Sequence, residues 1–323
     1  MMRNSRLLVI AASLVMIVTA CSAAATPSPA PTAAPTAAPT APPSVVLPTV
    51  RIGSDNFYES KLMAEIYGQI LEKAGYKVDR HLGLGSRQAR QPLMEQGQVD
   101  LVPEYVGSGL GYYDKAQITG DGAKNAAALA TILKTKGGGI SVFGITPAQD
   151  QNAFVVRKDT ATSLNLTKMS DLAAVQDQIK WGLPPDCDTN PICKGALEAY
   201  GITYPPKSRT KLAACDAPIA QALQAKTIDL AELCSTQPAI AQFGFVQLTD
   251  DKQTQPAENI APIVRDDFLA KVPDKAAFQK LLDDASAKMD TATLTQLGVR
   301  VGVNNEDLAV VAKDWLTTNG FLP

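Results

Sequence analysis

The stretch VRIGSDNFYESKLMAEIYGQILEKAGYKVDRHLGLGSRQARQPLMEQGQVDLV, residues 50–102, decides the fold. It opens with a short strand pattern from Val50 to Ile52 and breaks at the polar turn Gly53-Ser54-Asp55-Asn56. Apolar residues then recur at helical spacing, Leu62, Ile66, Ile70 and Ala74 beside Met63, Tyr67 and Leu71. Asn56 and Glu59 are placed as a capping pair and Gly75 as the stop. A strand from Lys77 to His81, a turn at Gly83-Leu84-Gly85-Ser86, a helix from Arg87 to Gln96 halted by Gly97, and a strand from Val99 to Val102 complete the unit. Strand, helix, strand, helix, strand is a parallel α/β unit with right-handed crossovers.

The same rhythm returns downstream. Ile179 to Gly182 and Ile228 to Leu233 read as strands; Pro191 to Tyr200, Ala217 to Ala225 and Pro238 to Phe243 read as helices, the last leading into Val246 and Leu248. This predicts a second α/β lobe. From Asp267 to Asn319 the pattern is helical, with no strand series of its own, so this tail is expected to pack on the first lobe.

Upstream, Arg3 and Arg6 precede an apolar run from Leu7 to Val18, then Thr19, Ala20 and Cys21. Residues 1–20 read as a secretory signal too short to span a bilayer, and the small residues before Cys21 resemble a bacterial lipobox, with Cys21 as the lipidated residue. Residues 21–48 are almost wholly Ala, Pro, Thr and Ser, which cannot bury a core, and are expected to form a stiff tether. Loss of the two arginines takes the formal net charge from −2 to −4, which gives no footprint for nucleic acid. Four cysteines then remain, and an even number in an exported chain favours disulfides. The pairing expected is Cys187 with Cys193 and Cys215 with Cys234; three connectivities are open, and a thiolate metal site is disfavoured because neither pair has the usual two-residue spacing.

Several short motifs, Gly53-Ser54-x-x-Phe57, Leu84-Gly85-Ser86, Asp100-Leu101-Val102-Pro103-Glu104-Tyr105-x-Gly107 and Thr249-Asp250-Asp251-Lys252, follow one another at characteristic spacing. Together with Met289-Asp290-Thr291-Ala292-Thr293 and the run from Ala309 to Leu316, they make the chain similar to the osmoprotectant-binding proteins of ATP-driven importers, which capture glycine betaine, choline and related quaternary amines. The likeness runs from about Val50 to Leu322. It implies a two-lobed α/β periplasmic-binding-protein fold of type II-like architecture, with the solute in a cleft and two chain crossovers. Residues 50–149 and 257–323 would build lobe I, and residues 150–256 lobe II. It further implies a lipid-anchored extracytoplasmic monomer with no cofactor and no bound metal, not an enzyme, that delivers a small-molecule solute to a membrane permease and its ATPase.

In that family a cage of aromatic rings grips the trimethylammonium head, because ring faces are electronegative and the head has no N–H to donate. Tyr105 matches one cage tyrosine and Ser108 a hydroxyl at the solute's polar end; a core aromatic and a loop serine are the plainer alternatives. Asn152, Cys234 and Glu258 stand where the other cage tyrosines are expected, Asp55 where some members carry a lysine, and Thr189 where an arginine clamps the carboxylate. Asp55, Asp150 and Glu258 around one site would favour a ligand with positive charge or hydrogen-bond donors. Phe57 is a further candidate for the lining, with a helix staple as its alternative, and Arg209 is an unplaced cation. A different cationic or zwitterionic solute, an amino acid or ergothioneine-like betaine, is the second reading.

An exported hydrolase is the remote alternative. Gly85-Ser86 and Gly107-Ser108-Gly109 put serines in glycine-rich turns, but neither is Gly-x-Ser-x-Gly, and His81 in a strand is the sole histidine for a triad. Gly83-Leu84-Gly85 lacks the third glycine of a dinucleotide loop, Gln88 standing in its place.

Overall fold

The computed structural model describes residues 46–323. The signal, Cys21 and nearly all of the tether expected from the sequence lie outside the described residues.

The first unit forms as its periodicity dictates: β1 (Val50–Gly53), α1 (Tyr58–Lys73), β2 (Val78–His81), α2 (Arg87–Glu95) and β3 (Leu101–Tyr105), with β1 parallel to both β2 and β3. Two local expectations are corrected. Asn56 does not cap α1. Phe57 holds the N-cap position without a side-chain bond, and the Asn56 N–H instead donates to the Gly85 carbonyl, joining the turns after β1 and β2. The third strand starts two residues later than read and runs through Pro103 to Tyr105, because the Asp100 carboxylate is taken up by Arg51 at the strand's entrance.

Next come α3 (Val106–Tyr113), α4 (Gly122–Thr135) and β4 (Ile140–Val142). The chain then builds the second sheet from β5 (Asn152–Val156), α5 (Lys158–Leu164), β6 (Trp181–Leu183), α6 (Ala196–Ala199) and β7 (Arg209–Lys211). It completes that sheet with α7 (Ala217–Gln224), β8 (Leu230–Cys234), α8 (Pro238–Phe243) and β9 (Val246–Gln247). It returns as β10 (Ile260–Arg265) and ends in α9 (Asp266–Leu269), α10 (Lys275–Lys288), α11 (Thr291–Gly298) and α12 (Leu308–Thr318).

The strand orders are β2-β1-β3-β10-β4 and β7-β6-β8-β5-β9. Both sheets are mixed, since β10 runs antiparallel to β3 and β4, and β5 antiparallel to β8 and β9. Each returning strand is sandwiched: Ile260 and Val264 of β10 enter the core under α1, α10, α11 and α12, while Ala261 and Ile263 enter the core under α3 and α4. In β5, Phe154 and Val156 face one core and Ala153 and Val155 the other. The C-terminal helices pack on the first sheet through α1, and α11 also touches α8 of the second. The chain therefore passes between the sheets twice, and the passages are bonded to each other: Gln149 and Asn259 form an antiparallel bridge, and the Asp150 N–H donates to the Glu258 carbonyl at 3.2 Å.

Disulfides join Cys187 to Cys193, with Cα atoms 5.2 Å apart, and Cys215 to Cys234, with Cα atoms 4.9 Å apart. No helix among the described residues is long and apolar enough to cross a membrane.

Candidate functional site

The carboxyl ends of β1 and β3, the amino ends of α2 and α3, and both passages between the sheets meet at one concave region. Open α/β sheets place ligands at such strand ends. An inner cavity of about 560 Å³ is lined by Asp55, Phe57, Arg87, Tyr105, Ser108, Asp150 and Glu258. A neighbouring chamber of about 750 Å³ shares Arg87, Gln88, Ser108 and Glu258, and adds Tyr112 and Ile118 from one side and Ile192 and Gln255 from the other. Gly107 permits the close approach that shapes the wall, since a Cβ there would lie 2.6 Å from the Ala257 carbonyl and 3.0 Å from the Glu258 carboxyl.

Beneath the floor lies a buried charge cluster. Arg90, with a fully buried side chain, donates to Glu104 at 2.8 Å and to Asp55 at 3.1 Å, while Arg87 clasps Glu104 at 2.8 Å and the Ser108 hydroxyl at 2.9 Å. Burial alone would raise the Glu104 pKa, but the two guanidiniums outweigh it and hold the carboxyl down to about 2. Arg87 Nη1 makes no hydrogen bond to another described residue.

Three other carboxyls form no salt bridge among the described residues, although the Arg87 guanidinium acts on Glu258 at longer range. Glu59, only 1% exposed, accepts the Tyr105 hydroxyl proton at 2.6 Å through Oε1, while its Oε2 is buried without a hydrogen-bond partner. Asp150 accepts from the Thr236 hydroxyl at 2.8 Å. Glu258 accepts from the Ser108 N–H at 3.0 Å and from its hydroxyl at 3.2 Å. Burial raises all three: Glu258 to about 7, and Glu59 and Asp150 upward as a pair, with Asp150 adding its charge to Glu59. The aromatic contribution is Phe57, 40% exposed, whose ring centre lies 5.6 Å from that of Tyr105.

The structure brings Asp55, Phe57, Tyr105, Ser108, Asp150 and Glu258 together. It does not bring Asn152, Cys234 or Thr189 to the lining of either cavity. The Asn152 amide is turned to Glu232 at 3.0 Å, Cys234 is committed to Cys215, and Thr189 is exposed on the loop between the Cys187 and Cys193 positions. Asp55 is not an uncompensated charge, because Arg90 neutralises it. Arg209 is bound to Asp188 and Tyr204, away from the cleft, and His81 pairs with Asp79 at the end of β2. Arg87, Arg90, Glu59 and Glu104 were missed as site residues. The available signal was a pair of arginines spaced one helical turn apart behind a glycine-rich turn, followed by a strand whose penultimate residue is an acid.

Residues 48–318 match the family described as the substrate-binding domain of ABC-type glycine betaine transport systems. The chain belongs to that family. Among its relatives, a glycine-betaine-binding protein of Pseudomonas aeruginosa is 29% identical over 85% of this chain and 89% of its own length. The glycine betaine-binding protein YehZ of Escherichia coli is 28% identical over 84% of this chain and 91% of its own. The solved structure of apo YehZ superposes with a TM-score of 0.76 at 24% identity, covering 84% of this chain and 99% of that one. A glycine betaine/carnitine/choline ABC transporter structure gives 0.77 at 21%, with the same coverage. The family's two-lobed binding-protein fold is thus the fold of this chain, and its role is that of a substrate-binding component of an ABC transporter.

Proposed function

We propose that this protein captures glycine betaine or a related quaternary amine outside the cytoplasm and hands it to a membrane permease. The observation that carries the reading is the make-up of the cavity wall. It joins the Phe57 and Tyr105 rings and the Asp150 and Glu258 carboxyls to the Arg87 guanidinium, which reaches the Ser108 hydroxyl that Glu258 also holds and whose Nη1 makes no hydrogen bond to another described residue. A trimethylammonium head suits aromatic faces backed by carboxyls, and a carboxylate suits a guanidinium. The anchoring reading rests on Cys21 and the tether, and closure of the lobes over the solute rests on the family resemblance.

Titration calorimetry of residues 44–323 with glycine betaine, choline and carnitine tests this. Saturable binding of at least one, weakened in Tyr105→Ala, is expected; no heat with any of the three would overturn the quaternary-amine reading. A second reading, a larger cationic or zwitterionic solute, is favoured by the adjoining 750 Å³ chamber with Tyr112, Ile118 and Ile192 in its walls. Ergothioneine and basic amino acids in the same titration decide between the two. Anchoring is checked by Cys21→Ala, expected to move the protein from the membrane fraction to the soluble one.

A further inference from the structure

Glu59 and Glu104 are nearly equally buried, at 1% and 2% exposure, yet their surroundings differ in one respect. Glu104 is held by two arginines, whereas Glu59 meets none. The titratable groups facing Glu59 are Tyr58 on its own helix, Tyr105 from β3 and Asp150 from the first passage between the sheets; the Thr236 hydroxyl, after β8, faces both Glu59 and Asp150 and donates to Asp150. The nearby guanidiniums of Arg87 and Arg90 are engaged with Glu104 and Asp55. A buried acid and a half-buried one that act on each other without a counter-cation are costly when both are ionised. One remedy is a proton and the other is a cation.

We propose that the solute's positive charge and a proton compete for the same place: the Glu59–Asp150 pair holds a proton when the cleft is empty and releases it when a cationic head docks against Tyr105. Asp150 lines the cavity, so its carboxyl meets the head directly. Glu59 does not line it and acts through the Tyr105 hydroxyl, as a positioning residue that sets the charge behind the ring. In the step, one carboxylic O–H bond breaks, the proton passes to buffer, and the carboxylate left behind is neutralised by the bound cation. Nothing is oxidised or reduced. The inference rests on the reading that the bound solute is cationic at this end, and it assigns specificity as well: a head without positive charge leaves the proton in place.

The experiment is calorimetric titration of the wild-type protein with glycine betaine and with choline, neither of which titrates between pH 6 and 9. It is run in phosphate and in Tris, whose ionisation heats differ. The expected result at pH 7 is release of between about half a proton and one proton per solute bound, with affinity rising up to about tenfold per pH unit below the pair's apparent pKa and levelling off above it. Glu59→Gln and Asp150→Asn should each sharply reduce the release and flatten the pH profile. Binding with equal heats in both buffers and a flat profile would overturn the proton exchange while leaving the transport reading intact. Affinity loss in Glu59→Gln with unchanged proton release would mean that Glu59 is merely structural, which also overturns it. Absence of binding by both solutes would remove the functional reading and this inference with it.

Discussion

Arg90 reaches Glu104 and Asp55 at once, at 2.8 and 3.1 Å, from a position with no solvent exposure. One side chain on α2 thereby ties the carboxyl end of β3 to the turn after β1, and the floor of the cleft depends on it.

Arg90→Met should therefore leave two buried carboxylates short of a counter-charge. The expected cost is about 3–5 kcal/mol, the range for breaking one side of a buried pair. Urea unfolding followed by circular dichroism checks this, and a loss below about 1 kcal/mol would show that the cluster is dispensable.

Glu258→Gln should stabilise the empty protein at alkaline pH. The Glu258 pKa in the native state, about 7, lies above its ordinary 4.5 because of burial. Its contribution is fully present below pH 4.5 and is lost as pH rises through 7. The glutamine does not titrate, so at pH 8 its thermal midpoint should exceed that of the wild type by about 3–6 °C, allowing for partial solvent screening, and at pH 4 the two should nearly coincide. Scanning calorimetry at both pH values reads the difference.

Tyr105→Ala should weaken binding of a trimethylammonium solute about 10- to 30-fold, the worth of a desolvated cation–π contact. Phe57→Ala should cost about 3- to 5-fold, because that ring is 40% exposed. Calorimetry of both variants with choline measures the ratio.

Arg87→Ala separates the two ends of the solute. Affinity for glycine betaine should fall about 10- to 100-fold through loss of charge-assisted hydrogen bonds, while affinity for choline, which has no carboxylate, should stay within about threefold. Equal losses for both would mean that Arg87 acts only by holding Glu104 and Ser108.

Replacing Cys215 and Cys234 by alanine should cost about 3 kcal/mol, and replacing Cys187 and Cys193 about 2 kcal/mol, since the first pair closes the longer loop, with a separation of 19 residues against 6. Denaturant midpoints of the two double variants provide the comparison.

What the sequence discloses about this protein follows from which signals are periodic. The helices and parallel strands of residues 50–102 were readable because burial imposes a repeat on them. Strand β10 was not, because Pro262 in its middle reads as an interruption; in the sheet it lies opposite Pro103. Position along the chain also misled where strand facing decides the outcome. Asn152 and Cys234 are direct cross-strand partners whose side chains share one face, and that face is not part of the cleft lining. Glu59 carried a capping signature, an acid three residues after an asparagine, and the same spacing is produced by an acid buried against Tyr105. Nothing local in sequence separates those cases.

The bond between the Asp150 N–H and the Glu258 carbonyl fastens the two passages to each other where the chain leaves one sheet for the other. Asp150 and Glu258 thus stand at the pivot of the molecule, Asp150 held by the Thr236 hydroxyl after β8 and Glu258 by Ser108 on α3. Their field acts on an arriving cation through water and on an enclosed one through a drier medium where it is stronger, so the arrival rate of a cation should fall with added salt, and the hold on an enclosed one should change much less.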